Sequence, residues 1–169
     1  MAETVYILLG SNVGDREKCL RTALKRLESL EGMEVVAVSA VYVSPAEDME
    51  EGTPAFLNQV IKGEYSYSPY ELLRAVEKIE HDLGRTEKGE NLPRTIDLDI
   101  LLFGEQLIDS ESLCIPYLQL LSRAFAMVPL LEIDPHLRHP ASKRPIAEFL
   151  TDEDRRKVML YKDHVARNV

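Results

Sequence analysis

The stretch FLNQVIKGEYSYSPYELLRAVEKIEHDLG, residues 56–84, carries a strand and then a helix, and its reading sets the fold. Phe56 to Tyr65 is a long strand candidate. Ser68 suits an N-cap, Pro69 the first helical position, and Glu71 stands three residues after the cap, where its carboxylate can reach back. Leu72, Leu73, Val76, Ile79 and Leu83 then form one apolar stripe, and Gly84 is the stop.

Working outward toward the N-terminus, Thr4 to Leu9 is an apolar run that reads as a central strand. Gly10-Ser11-Asn12-Val13-Gly14 is a turn. Asp15 can cap a helix whose stripe is Leu20, Ala23, Leu24, Leu27 and Leu30, and Gly32 ends it. Val35 to Val43 is rich in β-branched residues and predicts one long strand, broken by Ser44-Pro45. Glu47, Asp48, Glu50 and Glu51 follow in an acidic loop. Toward the C-terminus, Arg85 to Arg94 is polar and aperiodic, hence a loop. Thr95 to Phe103 is a strand with Asp97 and Asp99 embedded in it. Beyond it Pro116, Pro129, Pro135, Pro140 and Pro145 predict loops and short helices, with a longer polar helix from Asp152 onward.

The order is β-α-β-β-α-β plus a C-terminal extension. That predicts an α+β, ferredoxin-like βαββαβ core, an antiparallel sheet with helices on one face. The 169 residues predict a single domain, with the core at about 4–150 and the extension at 151–169.

Hydrophobic residues make up 45% and charged residues 29%, the balance of a soluble globular chain. Asp plus Glu is 29 against 20 for Lys plus Arg, a net charge of −9. Such acidity argues against a nucleic-acid groove or an anionic membrane as the main partner. It leaves open an anionic small ligand held by a few local cations. The start lacks a basic signal-peptide region, no stretch is long enough to span a bilayer, and Cys19 and Cys114 stand alone. A cytoplasmic protein with reduced thiols is the expectation. His136 and His139 lie in a Pro-flanked loop with no third ligand at helical spacing, which disfavours a metal pair.

The chemistry concentrates in Asp97-Leu98-Asp99. In a strand, residues i and i+2 share a face, so two carboxylates lie side by side while Ile96, Leu98 and Ile100 point the other way. Adjacent carboxylates repel and call for a cation or a proton. Mg²⁺ with substrate phosphates answers that need; a solvated strand face is the plainer alternative. Arg85, Lys88, Arg94 and Arg123 could neutralise a polyphosphate, or simply be surface cations. Phe56-Leu57-Asn58 is a second i, i+2 pair. It offers a ring to stack on and an amide to read a flat heteroaromatic ring, or else a core Phe beside a satisfied Asn. Glu80 falls on or near the apolar stripe of its helix, as a rim residue or one aimed at a site. P-loop, dinucleotide and serine-hydrolase signatures are absent.

Taken together, Gly10-Ser11-Asn12, Ser44-Pro45, Phe56-Leu57-Asn58, Glu80, Gly84-Arg85, the run Pro93 to Gly104 and Arg123-Ala124-Phe125 resemble the 6-hydroxymethyl-7,8-dihydropterin pyrophosphokinases of folate biosynthesis. The resemblance covers about residues 4–150. It implies transfer of pyrophosphate from ATP to the pterin hydroxymethyl group, with release of AMP. It implies that Asp97 and Asp99 bind two Mg²⁺ ions, with Arg94 as a catalytic partner. The pterin is expected between Phe56 and Phe125, read by Asn58 and by groups around Ser44, Pro45 and Ala46. Glu80, Arg85, Lys88, Arg94, Ile100 and Arg123 are the expected ATP-site residues. A monomer is expected, acting on small molecules, with contacts to other folate enzymes open.

The chain also departs from that family. The segment Thr86-Glu87-Lys88-Gly89-Glu90-Asn91-Leu92 lacks the usual further arginines and Trp-Gly. Tyr117 stands where the family typically has His and is followed by Leu118, and Ser112 and Cys114 replace residues often held by Arg and Thr. A slow or non-catalytic pterin-binding module of the same fold is the alternative reading.

Overall fold

The computed structural model describes residues 1–45, 55–84 and 95–162. Five strands and two helices make the first part of the chain: β1 (Glu3–Ser11), α1 (Arg16–Glu28), β2 (Met33–Val38), β3 (Val41–Ser44), β4 (Phe56–Tyr65), α2 (Pro69–Asp82) and β5 (Asp97–Phe103). A small hairpin follows, β6 (Ile108–Asp109) with β7 (Cys114–Ile115), then α3 (Ala124–Ile133), α4 (Asp152–Arg156) and β8 (Met159–Lys162).

The local signals act as their chemistry dictates. Ser68 Oγ accepts from the Glu71 N–H while the Glu71 carboxylate accepts from the Ser68 N–H, a complete capping box with Pro69 behind it. Asp15 accepts from the Lys18 N–H to start α1. Gly84 ends the α2 segment at φ +99°, a conformation that costs a side-chain-bearing residue far more than glycine.

The main sheet runs β5-β1-β4-β3-β8, with β2 also paired to β4, and all its pairings are antiparallel. The α1 and α2 stripes (Leu20, Leu24, Leu27, Leu72, Val76 and Ile79) pack on one face against Ile7, Leu9, Leu57, Ile61 and Leu98. Each such fully buried side chain stabilises the fold by about 1.5–3 kcal/mol.

The structure corrects the sequence reading in three places. Helices do not sit on one face alone. The apolar α3, through Ala126, Met127 and Leu130, covers the opposite face against Tyr6, Leu8, Val60 and Leu101. The long strand predicted over Val35 to Val43 is two strands. Ser39 interrupts it, because its Oγ accepts from the Val60 N–H and donates to the Ala40 carbonyl, while Gln59 Nε2 donates to the Ser39 carbonyl. Side-chain bonds thus satisfy backbone groups that the strand ladder would otherwise take. The long polar helix expected from Asp152 is the single short α4. The chain then turns back as β8 and pairs with β3 at the sheet edge.

The C-terminal end of α3 is tied to the sheet. Asp134 accepts from the Tyr6 hydroxyl and pairs with Lys62 Nζ at 2.9 Å. Burial acts to raise the Asp134 pKa, but the Tyr6 and Lys62 hydrogen bonds outweigh it and hold the carboxyl below its ordinary value. Burial and the same carboxylate push the Tyr6 phenol up.

Candidate active site

Strand register builds the site. Asp97 on β5 lies opposite Gly10 on β1, Gly10 opposite Asn58 on β4, and Asn58 opposite Tyr42 on β3. Directly paired residues share a face, so these four form one row across the sheet. Asp99, Leu8 and Val60 form the next row. Strands lie about 4.8 Å apart, which puts Asp97 and Asn58 roughly 9.5 Å from each other. Between them stands Gly10. A Cβ there would sit 3.5 Å from both Asn58 Oδ1 and the Phe56 ring, so glycine keeps the floor low. The sequence reading placed Gly10 in a turn and in the Gly10-Ser11-Asn12 motif but not in this row; the i, i+2 parity of β1 was the available signal.

The amide is fixed in place. Asn58 Nδ2 donates to Ser44 Oγ at 2.7 Å, with Asn58 only 2% and Ser44 only 4% exposed. Phe56, two residues earlier on the same face, is half-buried. Ser44 thus holds the Asn58 amide, and Pro45 is exposed at the end of β3.

On the other side of the row, Asp97 and Asp99 are half-buried on the outermost strand, β5. Between them the Leu98 N–H donates to Glu80 Oε2 at 2.8 Å. Glu80 is 3% exposed, so its carboxylate caps the edge of β5 rather than facing solvent. Thr95 Oγ1 adds a bond to the Leu83 carbonyl at 2.8 Å, joining the start of β5 to the end of α2. Glu80→Ala should therefore lower stability by about 1–3 kcal/mol, the cost of a buried N–H left without an acceptor. Glu80→Gln, which keeps an acceptor oxygen, should lose less. Urea unfolding of the two variants checks this, and equal losses would show that the hydrogen bond is not what matters.

Arg123 precedes α3. Its guanidinium lies 5.7 Å from the Phe125 ring centroid, and Nε and Nη2 donate to Gln119 Oε1 at 3.3 and 3.2 Å. Phe125 is half-buried at the N-terminal end of α3. Since Asp134 anchors the other end beside Tyr6 and Lys62, α3 runs alongside β4 and carries Phe125 toward the Asn58 end of the sheet. From 134 back to 125 the helix spans about 13.5 Å, and from 62 back to 58 the strand spans about 13 Å.

The Ile100 side chain is buried in the core under α1 and α2, with Leu98, and not on the face that carries Asp97 and Asp99. Ala46, Arg85, Lys88 and Arg94 lie outside the described residues. His139 Nδ1 accepts the Ala141 N–H, and burial lowers its pKa, so this imidazole serves the turn. Cys19 and Cys114 are both free thiols. Among the described residues no three His, Cys, Asp or Glu side chains converge on one point. The donor chemistry of Asp97 and Asp99 fits Mg²⁺ all the same. That ion is held by one or two carboxylates together with substrate phosphates and water, not by an all-protein cage.

A family model described as 7,8-dihydro-6-hydroxymethylpterin-pyrophosphokinase (HPPK) matches residues 6–135. The 2-amino-4-hydroxy-6-hydroxymethyldihydropteridine pyrophosphokinase of Aquifex aeolicus is 43% identical over 146 residues, covering 86% of this chain and 89% of that protein. The protein of the same name from Bacillus subtilis is 41% identical over 79% of each chain. A crystal structure of Plasmodium falciparum HPPK-DHPS with pteroate superposes with a TM-score of 0.74 at 13% identity. That match covers 98% of this chain, which spans 48% of the Plasmodium one. No described helix is long and apolar enough to cross a membrane.

Proposed function

The chain belongs to the 7,8-dihydro-6-hydroxymethylpterin-pyrophosphokinase family, and from that premise we infer how it works. It transfers pyrophosphate from ATP to the hydroxymethyl group of 6-hydroxymethyl-7,8-dihydropterin in folate synthesis. The hydroxymethyl oxygen forms a bond to the β-phosphorus. The bond from that phosphorus to the oxygen it shares with the α-phosphate breaks, AMP leaves, and the hydroxyl proton passes to solvent. Relatives that carry the pyrophosphokinase name at 41–43% identity speak against a non-catalytic pterin-binding module.

One observation supports the assignment of roles: an amide and two carboxylates share a sheet face, two strands apart, across a glycine floor. In this reading Asn58 hydrogen-bonds the polar edge of the pterin while Phe56 and Phe125 take its two faces. The hydroxymethyl arm then points along the row to Asp97. Asp97 and Asp99 would hold two Mg²⁺ ions, which would neutralise the triphosphate and favour the ionised hydroxyl. Arg123 meets phosphate oxygens, together with Arg94, Arg85 and Lys88, while Glu80 positions β5. The chain acts as a single cytoplasmic domain, a monomer on small molecules, open to contact with other folate enzymes.

The deciding experiment incubates the protein with Mg-ATP and 6-hydroxymethyl-7,8-dihydropterin and follows the nucleotide product. AMP should accumulate in step with the pterin diphosphate, and EDTA should stop it. ADP in place of AMP, or no AMP at high enzyme concentration, would overturn the reading.

A further inference from the structure

Helix α3 is joined to the sheet at a second point. Glu132 Oε1 and Oε2 accept from the Ala40 N–H at 3.0 and 3.1 Å, and Oε1 also accepts from the Tyr42 hydroxyl at 2.6 Å. Ala40 lies in the break between β2 and β3, and Tyr42 stands opposite Asn58 in the row that crosses the site. One carboxylate thus bridges α3 to the strand that carries Ser44, the residue that holds the Asn58 amide.

Glu132 and Phe125 are seven residues apart on α3. Two helical turns bring such residues back to nearly the same side, about 10.5 Å apart along the axis. A rotation or lift of α3 at Glu132 is therefore carried to the Phe125 ring. Pro129 lies between the two, inside the helix. It has no N–H to donate to the Phe125 carbonyl, so the helix holds the ring end less firmly than an unbroken ladder would. The placement of that end depends correspondingly more on contacts with the sheet.

We propose that Glu132 is a positioning residue for the dihydropterin: by clamping α3 to β3 it sets the gap between the Phe125 and Phe56 rings. The proposal rests on the pyrophosphokinase reading for the identity of the ring that fills the gap. Glu132 touches neither substrate, so its signature is selective. Removing it slackens the ring slot and leaves Asp97 and Asp99, on β5, in place; Arg123 at the head of α3 is one of four cations assigned to the phosphates, so the effect on ATP is the smaller one.

The test compares Glu132→Ala, Glu132→Gln and Tyr42→Phe with the unaltered chain, at a temperature where circular dichroism shows all four folded. Dihydropterin binding is measured by calorimetry, and KM for each substrate and kcat by AMP release. Glu132→Ala should raise the dihydropterin Kd and KM about tenfold, with ATP KM within about twofold and kcat within about threefold. Glu132→Gln, which keeps one acceptor, should recover part of the loss, and Tyr42→Phe should shift the same constants by about two- to fivefold. Unchanged dihydropterin constants would overturn the proposal, and so would equal shifts for dihydropterin and ATP, which mark a general loosening. Absence of AMP from the unaltered chain would instead sink the pyrophosphokinase reading. The calorimetric comparison would still decide whether Glu132 shapes the slot.

Discussion

Replacing Asp97 or Asp99 by Ala should lower turnover by on the order of a thousandfold or more while the protein stays folded. Each carboxylate is half-buried on an edge strand, on the face away from α1 and α2, and neither belongs to either apolar core. A metal that clamps the transferring group contributes several kcal/mol to the transition state, and about 1.4 kcal/mol is a factor of ten. Losing one of two anionic ligands at such a site should therefore take most of that contribution away. The same substitution removes one member of a like-charge pair, which offsets the loss of local contacts in the unliganded protein. AMP release at saturating substrates should thus collapse while the melting temperature moves little and calorimetric dihydropterin binding persists. Asp97→Asn and Asp99→Asn separate charge from shape and should be nearly as inactive. A large fall in melting temperature with activity retained would mean that the pair holds the strand and not a metal.

Asn58→Ala should weaken dihydropterin binding by roughly 30- to several hundred-fold, with a much smaller effect on ATP. A buried amide that reads a ring edge makes two or three hydrogen bonds of about 1–1.5 kcal/mol each, and losing them also strands their partners on the substrate. The substitution has a structural cost too, because buried Ser44, 4% exposed, loses the donor 2.7 Å from its Oγ. Ser44→Ala provides the control. It frees the Asn58 amide without removing it, and should cost about tenfold or less in dihydropterin affinity. Equal losses from the two variants would indicate that Asn58 matters as part of the packing between β3 and β4, not as the group that reads the ring.

Much of this is legible in the sequence by itself, because it depends on local chemistry. Capping at Ser68 and Asp15, the α2 stripe ended by Gly84, and the shared face of Asp97 and Asp99 follow from interactions within a few residues, whereas α1 already stops at Glu28, before Gly32. The second helical layer could have been found as well. The run Val5 to Leu9 is apolar at every position and fully buried, and a strand that does not alternate is covered on both faces. The break at Ser39 could not be found in this way, since it depends on bonds to Val60 and Gln59, some twenty residues away. The same holds for β8, whose four residues are exposed and which joins the sheet only by pairing with β3.

The division in the site has the same cause. Residue types at fixed short spacing already specified a strand with paired carboxylates, a strand with a ring and an amide, and the kind of ligand each could take. Their meeting on one face came from register. A shift of one residue between β1 and either neighbour would turn Asp97 or Asn58 to the opposite side, and register is set by packing on both faces of the sheet. Glu80 shows this at a single atom. In the chain it is one more carboxylate near an apolar stripe; folded, it is held by the Leu98 N–H between the two aspartates, a contact eighteen residues long that only the packing of α2 against the sheet edge creates.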